Sequence, residues 1–155
     1  MNFSDKIKFL GIYQLVGGLI GVWRLFFEIF KTPKLTIEIG LLISSIFILF
    51  LFSIYCGYLV LKGNLSRGLQ FSIYNQTLQI IGFAVLGFSF FYVSGIFVVF
   101  HFDFTFDTIF TLKSGFSTAE ISLNNQSKPS TIILNILGFI LLNFTHKLQT
   151  IYKNQ

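Results

Sequence analysis

Four stretches of this chain read as membrane helices, because each is apolar over about the length needed to cross a hydrocarbon core of roughly 30 Å at about 1.5 Å per residue. They cover residues 7–30, 39–61, 69–100 and 131–151. Polar breaks separate the first three: residues 31–36 carry Pro33 and two lysines, and residues 62–68 read KGNLSRG. Both suit short turns between antiparallel helices. The fold class expected is therefore all-α and integral to the membrane. It is a four-helix transmembrane bundle in one domain, with a β-hairpin in the loop between helices 3 and 4.

Polar positions inside the apolar runs carry the next step. On a helix at 100° per residue, Ser72, Asn75, Gln76 and Gln79 fall within an arc of about 100°, and Gly87 and Ser94 continue that face. Amides turned toward lipid would stay unpaired, so this face must meet protein. In the first span Gly11, Gln14, Gly17, Gly18 and Gly21 share a face, and the Gly17–Gly21 spacing permits close backbone approach. Helix rise puts Gln14, Gln76, Gln79 and Asn143 at similar depth. The expectation is an intramembrane polar layer of Gln14, Asn75, Gln76, Gln79 and Asn143, with Gly17, Gly18 and Gly21 as the packing surface beside it.

Between the third and fourth spans the period changes to that of a half-buried strand. Phe102, Phe104, Phe106, Phe110 and Leu112 alternate with polar residues at odd positions, whereas after Ser114-Gly115 the apolar residues are Ala119, Ile121 and Leu123. A two-residue turn at Ser114-Gly115 accounts for the reversed phase, giving a hairpin over residues 102–124. Its exposed face, Phe106, Phe110, Leu112, Ile121 and Leu123, is the candidate interaction surface.

Composition narrows the function classes. With 54% hydrophobic and 11% charged residues, the chain lies far from soluble-domain averages. Its net charge of +5 does not point to nucleic acid, because the basic residues stand singly at the ends of apolar runs. Placing both termini inside puts Lys6, Lys8, Lys62, Arg67, Lys147 and Lys153 on the cytoplasmic side, against Arg24, Lys31, Lys34, Lys113 and Lys128 outside. The N-terminal run lacks a small-x-small cleavage site, which suits a retained helix. Cys56 has no second cysteine to pair with. Every carboxylate lies at or beyond a span end, so no catalytic acid, cofactor site or metal site is expected. His101, Asp103 and Asp107 read as a solvated strand face.

Gly17-Gly18-Leu19-Ile20-Gly21-Val22-Trp23-Arg24 resembles the GGxxGxxR element in the first helix of the small fluoride channel family. The likeness is confined to those residues. Residues 39–61 contain no Asn, and the family's Phe- and Thr-rich third-helix motif is absent, so its pore residues are not carried over.

The functional expectation is a small multi-pass protein of a bacterial cytoplasmic membrane, acting as a non-enzymatic accessory or interaction subunit. Its hairpin would contact the bilayer surface, a membrane or periplasmic protein, or a second copy. The alternative is a small channel or transporter with a polar path between helices 1, 3 and 4.

Overall fold

The computed structural model describes residues 2–31, 36–104, 110–123 and 130–154. Helices α1 (Phe3–Lys31) and α2 (Ile37–Leu61) form an antiparallel pair set by small residues. A Cβ on Gly18 would lie 2.6 Å from Ile54, one on Gly57 would lie 2.6 Å from the Gly11 carbonyl, and Gly21 lies under the Phe50 ring. Thr36 caps α2 by accepting from the Ile39 N–H at 3.3 Å. Among the described residues, α1 and α2 are the two helices long and apolar enough to cross a membrane.

The expected third span is not a helix throughout. Helix α3 (Leu65–Leu78) stops after 14 residues, and the chain continues into strands β1 (Ile81–Val85) and β2 (Phe88–Asp103). Hydropathy alone cannot separate a buried helix from a strand here. Gly82, Gly87 and Gly95 weaken a helix, and the Phe, Val, Ile and Tyr residues around them favour a pleated strand. The expected fourth span likewise divides into β4 (Thr131–Asn135) and α4 (Ile136–Lys153). The all-α four-helix bundle is thus replaced by four helices and a four-stranded antiparallel sheet of order β1-β4-β2-β3, in which β1 also pairs with β2.

The expected hairpin also takes another form. Strand β3 (Phe110–Ser122) runs straight through Ser114-Gly115, which pair with Val98 and Phe97 of β2. The phase reversal comes from an irregularity a little further on. The β2–β3 register shifts between Val93 and Ile96, so that Ser94 and Gly95 stand opposite Ser117. Arg24 reaches two consecutive β3 carbonyls, those of Phe116 at 3.0 Å and Ser117 at 3.4 Å, which a regular strand points to opposite edges. A bulge exchanges the two faces of a strand as a turn does, without reversing the chain.

Register then dictates the shape of the sheet. The first half of β2 is antiparallel to β1, β1 to β4, and β4 to the second half of β2. These relations require the two halves of β2 to run in opposing senses, so the strand folds back at the bulge, where Gly95 has φ +112°. Strand β3 follows it on the outside. Four strands thereby make six limbs, in the order β3 C-half, β2 N-half, β1, β4, β2 C-half, β3 N-half.

The fold-back is held against α1. A Cβ on Gly17 would lie 2.6 Å from the Gly95 nitrogen, Ser117 Oγ donates to the Gly17 carbonyl at 2.7 Å, and Tyr13 OH donates to the Ile96 carbonyl at 2.9 Å. One apolar cluster, Ile46, Phe50 and Tyr92, lies between α2 and the sheet. A second, Ile7, Leu10, Val60, Leu69 and Leu148, joins the four helices at their other end.

Candidate functional site

Directly paired residues share a face, so the register assigns every sheet side chain to the inside or the outside of the curl. Across the rim run Ser122, Ser89, Ala84, Thr131 and Asp103. One layer deeper, Glu120 pairs with Phe91, and Ile133 with both Gly82 and His101. On the floor, Val93 pairs with Thr118, and Val99 with both Asn135 and Lys113. All four ionisable side chains of the described strands other than tyrosine (His101, Asp103, Lys113 and Glu120) point inward. The outward face carries Ile81, Phe83, Phe100, Phe110, Leu112 and Leu134, with Leu112 60% exposed. The inner face thus mixes these ionisable side chains with Phe91, Val93, Val99 and Ile133, whereas the outer face is largely apolar and only partly covered, by α2 at Tyr92 and Ile121, a pattern found in strands that face lipid.

The space inside is real volume. Two adjoining clefts of about 190 and 470 Å³ share Phe91, His101, Glu120 and Ile133. Small residues open it: a Cβ on Gly82 would meet the Phe91 ring at 2.6 Å, and one on Gly115 would meet the Phe97 ring at 2.8 Å. Phe91 and Phe97 contact edge to face at 5.8 Å between the two halves of β2. At the rim, Ser89 Oγ lies 2.6 Å from Ser122 Oγ and 3.3 Å from Glu120 Oε1. Partial burial and the Lys113 charge lower the pKa of His101, against an opposing pull from Asp103, so its neutral form is favoured. Among the described residues no three His, Cys, Asp or Glu side chains gather as metal ligands.

Beneath the floor lies a second polar region, fully enclosed. Ser53 Oγ accepts from Asn75 Nδ2 at 3.2 Å and from Ser94 Oγ at 2.8 Å, and donates to the Gln14 carbonyl at 3.1 Å. Tyr92 OH places its proton between the Leu49 carbonyl at 2.8 Å and Asn75 Oδ1 at 3.2 Å. Gln79 Oε1 accepts from the Ser94 N–H at 3.0 Å, and Asn135 Nδ2 donates to the Gln79 carbonyl at 3.1 Å. Ser72 Oγ lies 3.0 Å from Gln14 Oε1. Asn135 thus links cup floor and enclosed layer.

Four of the five residues expected in a polar layer meet there: Gln14, Asn75, Gln76 and Gln79 are all buried. Asn143 is exposed, because α4 turns Leu141, Thr145 and Leu148 inward instead. Ser53, Tyr92 and Asn135 complete the layer without having been singled out, together with Ser94, which was expected on the same face but as part of a helix. The signal for Ser53 was its place among the few polar interruptions of an apolar helix. Several amide atoms, namely Gln14 Nε2, Gln79 Nε2, Asn135 Oδ1 and both polar atoms of Gln76, have no hydrogen-bond partner among the described residues. Gly17 packs on the sheet, whereas Gly18 and Gly21 pack on α2. Of the expected interaction residues, Phe110, Leu112 and Leu123 are exposed, Ile121 packs against the Phe50–Tyr92 cluster, and Phe106 lies outside the described residues.

No family model matches the chain, and neither a curated protein nor a solved structure is significantly similar to it.

Proposed function

We propose that the protein is a small, non-enzymatic integral membrane protein that admits a small polar solute to the cup, as a channel or carrier does. In this reading α1 and α2 span a bacterial cytoplasmic membrane, both termini are cytoplasmic, and the cup opens toward the other side. One observation carries it: the sheet turns His101, Asp103, Lys113 and Glu120 inward and an apolar surface outward. A cup built for water alone would not expose that outer face. The enclosed layer from Asn135 to Gln14 carries polar groups beneath the Val93–Val99 floor as far as the Ile7–Leu148 cluster, in place of a path between helices 1, 3 and 4. Groups of both signs suit neutral or zwitterionic solutes over simple ions.

Liposomes containing only this protein test the reading, with swelling in urea, glycine and potassium chloride as the readout. Uptake of urea or glycine above that of empty liposomes, altered by Lys113→Leu or Glu120→Leu, is expected. Swelling no faster than that of empty liposomes in all three solutes would overturn it.

A second reading, an interaction subunit, has its own support in the outer edge of β3, where Phe110, Leu112 and Phe116 are exposed. Its partner is a membrane or periplasmic protein or a second copy. A monomer with no companion after mild-detergent purification would remove it.

A further inference from the structure

The other end of the molecule carries a different surface. The start of α1, the end of α2, the start of α3 and the end of α4 converge around the Ile7–Leu148 cluster. They bring together Lys6, Lys8, Lys62, Arg67, Lys147 and Lys153, with Asp5 as the sole acidic side chain among the described residues there. Asp5 is engaged locally, accepting from the Asn2 N–H at 3.3 Å. None of the six cations is ion-paired among the described residues.

A cleft of about 300 Å³ opens between α3 and α4 within this collar. Its polar lining is Ser66, Gln70, Tyr74, His146, Gln149 and Lys153, beside Ile73 and the Tyr152 ring, and it contains no carboxylate. Gln70 Nε2 donates to Tyr74 OH at 3.1 Å, leaving the phenol proton available. The α3 N-terminus has no side-chain cap and no acidic residue in its first turn, so its N–H groups keep their positive end beside Ser66. Donors, a lysine and a helix N-terminus at the edge of an apolar belt match a phosphodiester at headgroup depth.

We propose that the α3–α4 cleft binds the phosphate of an anionic membrane lipid. The assignment rests on the placement of α1 and α2 in a membrane and not on what the cup holds, so the liposome assay and the one below fail independently. Free inorganic phosphate shares the chemistry but lacks the acyl chains that the neighbouring apolar surface would cover.

The test uses the full-length protein in detergent, with reaction of a thiol dye at buried Cys56 as the unfolding signal. Titration with phosphatidylglycerol should raise the melting temperature, and phosphatidylcholine should not. Arg67→Gln with Lys153→Gln should weaken the apparent affinity about thirtyfold, two interfacial charges being removed, while Lys31→Gln at the far end leaves it unchanged. Lys153→Arg should retain binding, and Gln149→Leu should weaken it without any change of charge. Equal stabilisation by both lipids, or no loss in the double variant, would overturn the proposal. Inorganic phosphate matching phosphatidylglycerol at equal concentration would assign the cleft to a soluble ligand and overturn it also.

Discussion

Substituting Gly95 by alanine strikes the one point on which the sheet's shape depends. Its φ of +112° is a conformation that L side chains rarely adopt, and a Cβ there would enter the Tyr13 ring. Tyr13 cannot swing aside without losing its 2.9 Å hydrogen bond to the Ile96 carbonyl. Backbone strain of about 1–2 kcal/mol and overpacking of about 1–3 kcal/mol give a destabilisation of roughly 2–5 kcal/mol. For a chain of this size that lowers the melting temperature by roughly 4–20 °C. Gly17→Ala should cost about 1–3 kcal/mol, since its Cβ would lie 2.6 and 2.8 Å from backbone atoms of Gly95, which cannot rotate away. The two substitutions disturb one contact, so the double variant should lose less than the sum. Gly40→Ala is the control: nothing lies within 4 Å of its Cβ, and alanine in a helix is about 0.5–1 kcal/mol better than glycine. Melting followed by dye reaction at Cys56 ranks the three. Gly95→Ala melting no lower than Gly40→Ala would refute the fold-back on α1.

Other consequences are open to simpler measurements. Cysteines replacing Phe100 and Leu112, which pair across β2 and β3, should form a disulfide in a Cys56→Ser background; efficient bridging of Phe110 to Ala119 instead would restore a turn at Ser114-Gly115. Gln76→Leu should stabilise the protein by about 1–3 kcal/mol by removing an amide with no partner among the described residues, whereas Asn75→Leu should destabilise it by about 1–2 kcal/mol by removing its hydrogen bonds with Ser53 and Tyr92, which keep their other partners; chemical denaturation showing the reverse order would reject the bonding scheme. Because the folded pKa of His101 is depressed, the unfolded chain binds its proton first, so stability should fall as pH drops from about 6.5 toward the folded value and level off below it. His101→Asn should flatten that part of the profile, and an unchanged slope would contradict the assignment.

Some of this was legible in the residues themselves. Expected spans over residues 7–30 and 39–61 coincide with α1 and α2, because a long apolar run closed by lysines has few alternatives to a helix. The polar edge of α3 was legible because an amide in an apolar run must face protein. Residues 80–100 were not legible, since hydropathy is the same for a lipid-facing helix and an apolar strand and only the spacing of Gly82, Gly87 and Gly95 hinted at the difference. The phase reversal in β3 was visible, but a turn and a bulge invert the faces equally, and only the partner strand tells them apart. That partner was hidden in the stretch read as helix, so the cup residues His101, Lys113 and Glu120 stood on a recognisable strand face with no second wall to complete a site. Leu86 is a further case: with φ +53° and 97% exposure, it occupies a hairpin position where Asn or Gly is usual, so the β1–β2 turn, Leu86-Gly87, carried only the glycine half of its usual signal.

In the proposed reading a folded strand pair makes a cup with water inside and lipid outside. Nitroxide labels placed singly along β3, in the Cys56→Ser background and in proteoliposomes, measure this directly through relaxation by a water-soluble nickel complex and by oxygen. Labels at residues 111, 113, 118 and 120 should respond to nickel. Those at 110, 112 and 116 should respond to oxygen, with the parity of the nickel-sensitive positions switching between 115 and 118. Nickel access at 110 and 112 with oxygen access at 113 and 120, or uniform nickel access along the strand, would contradict the account.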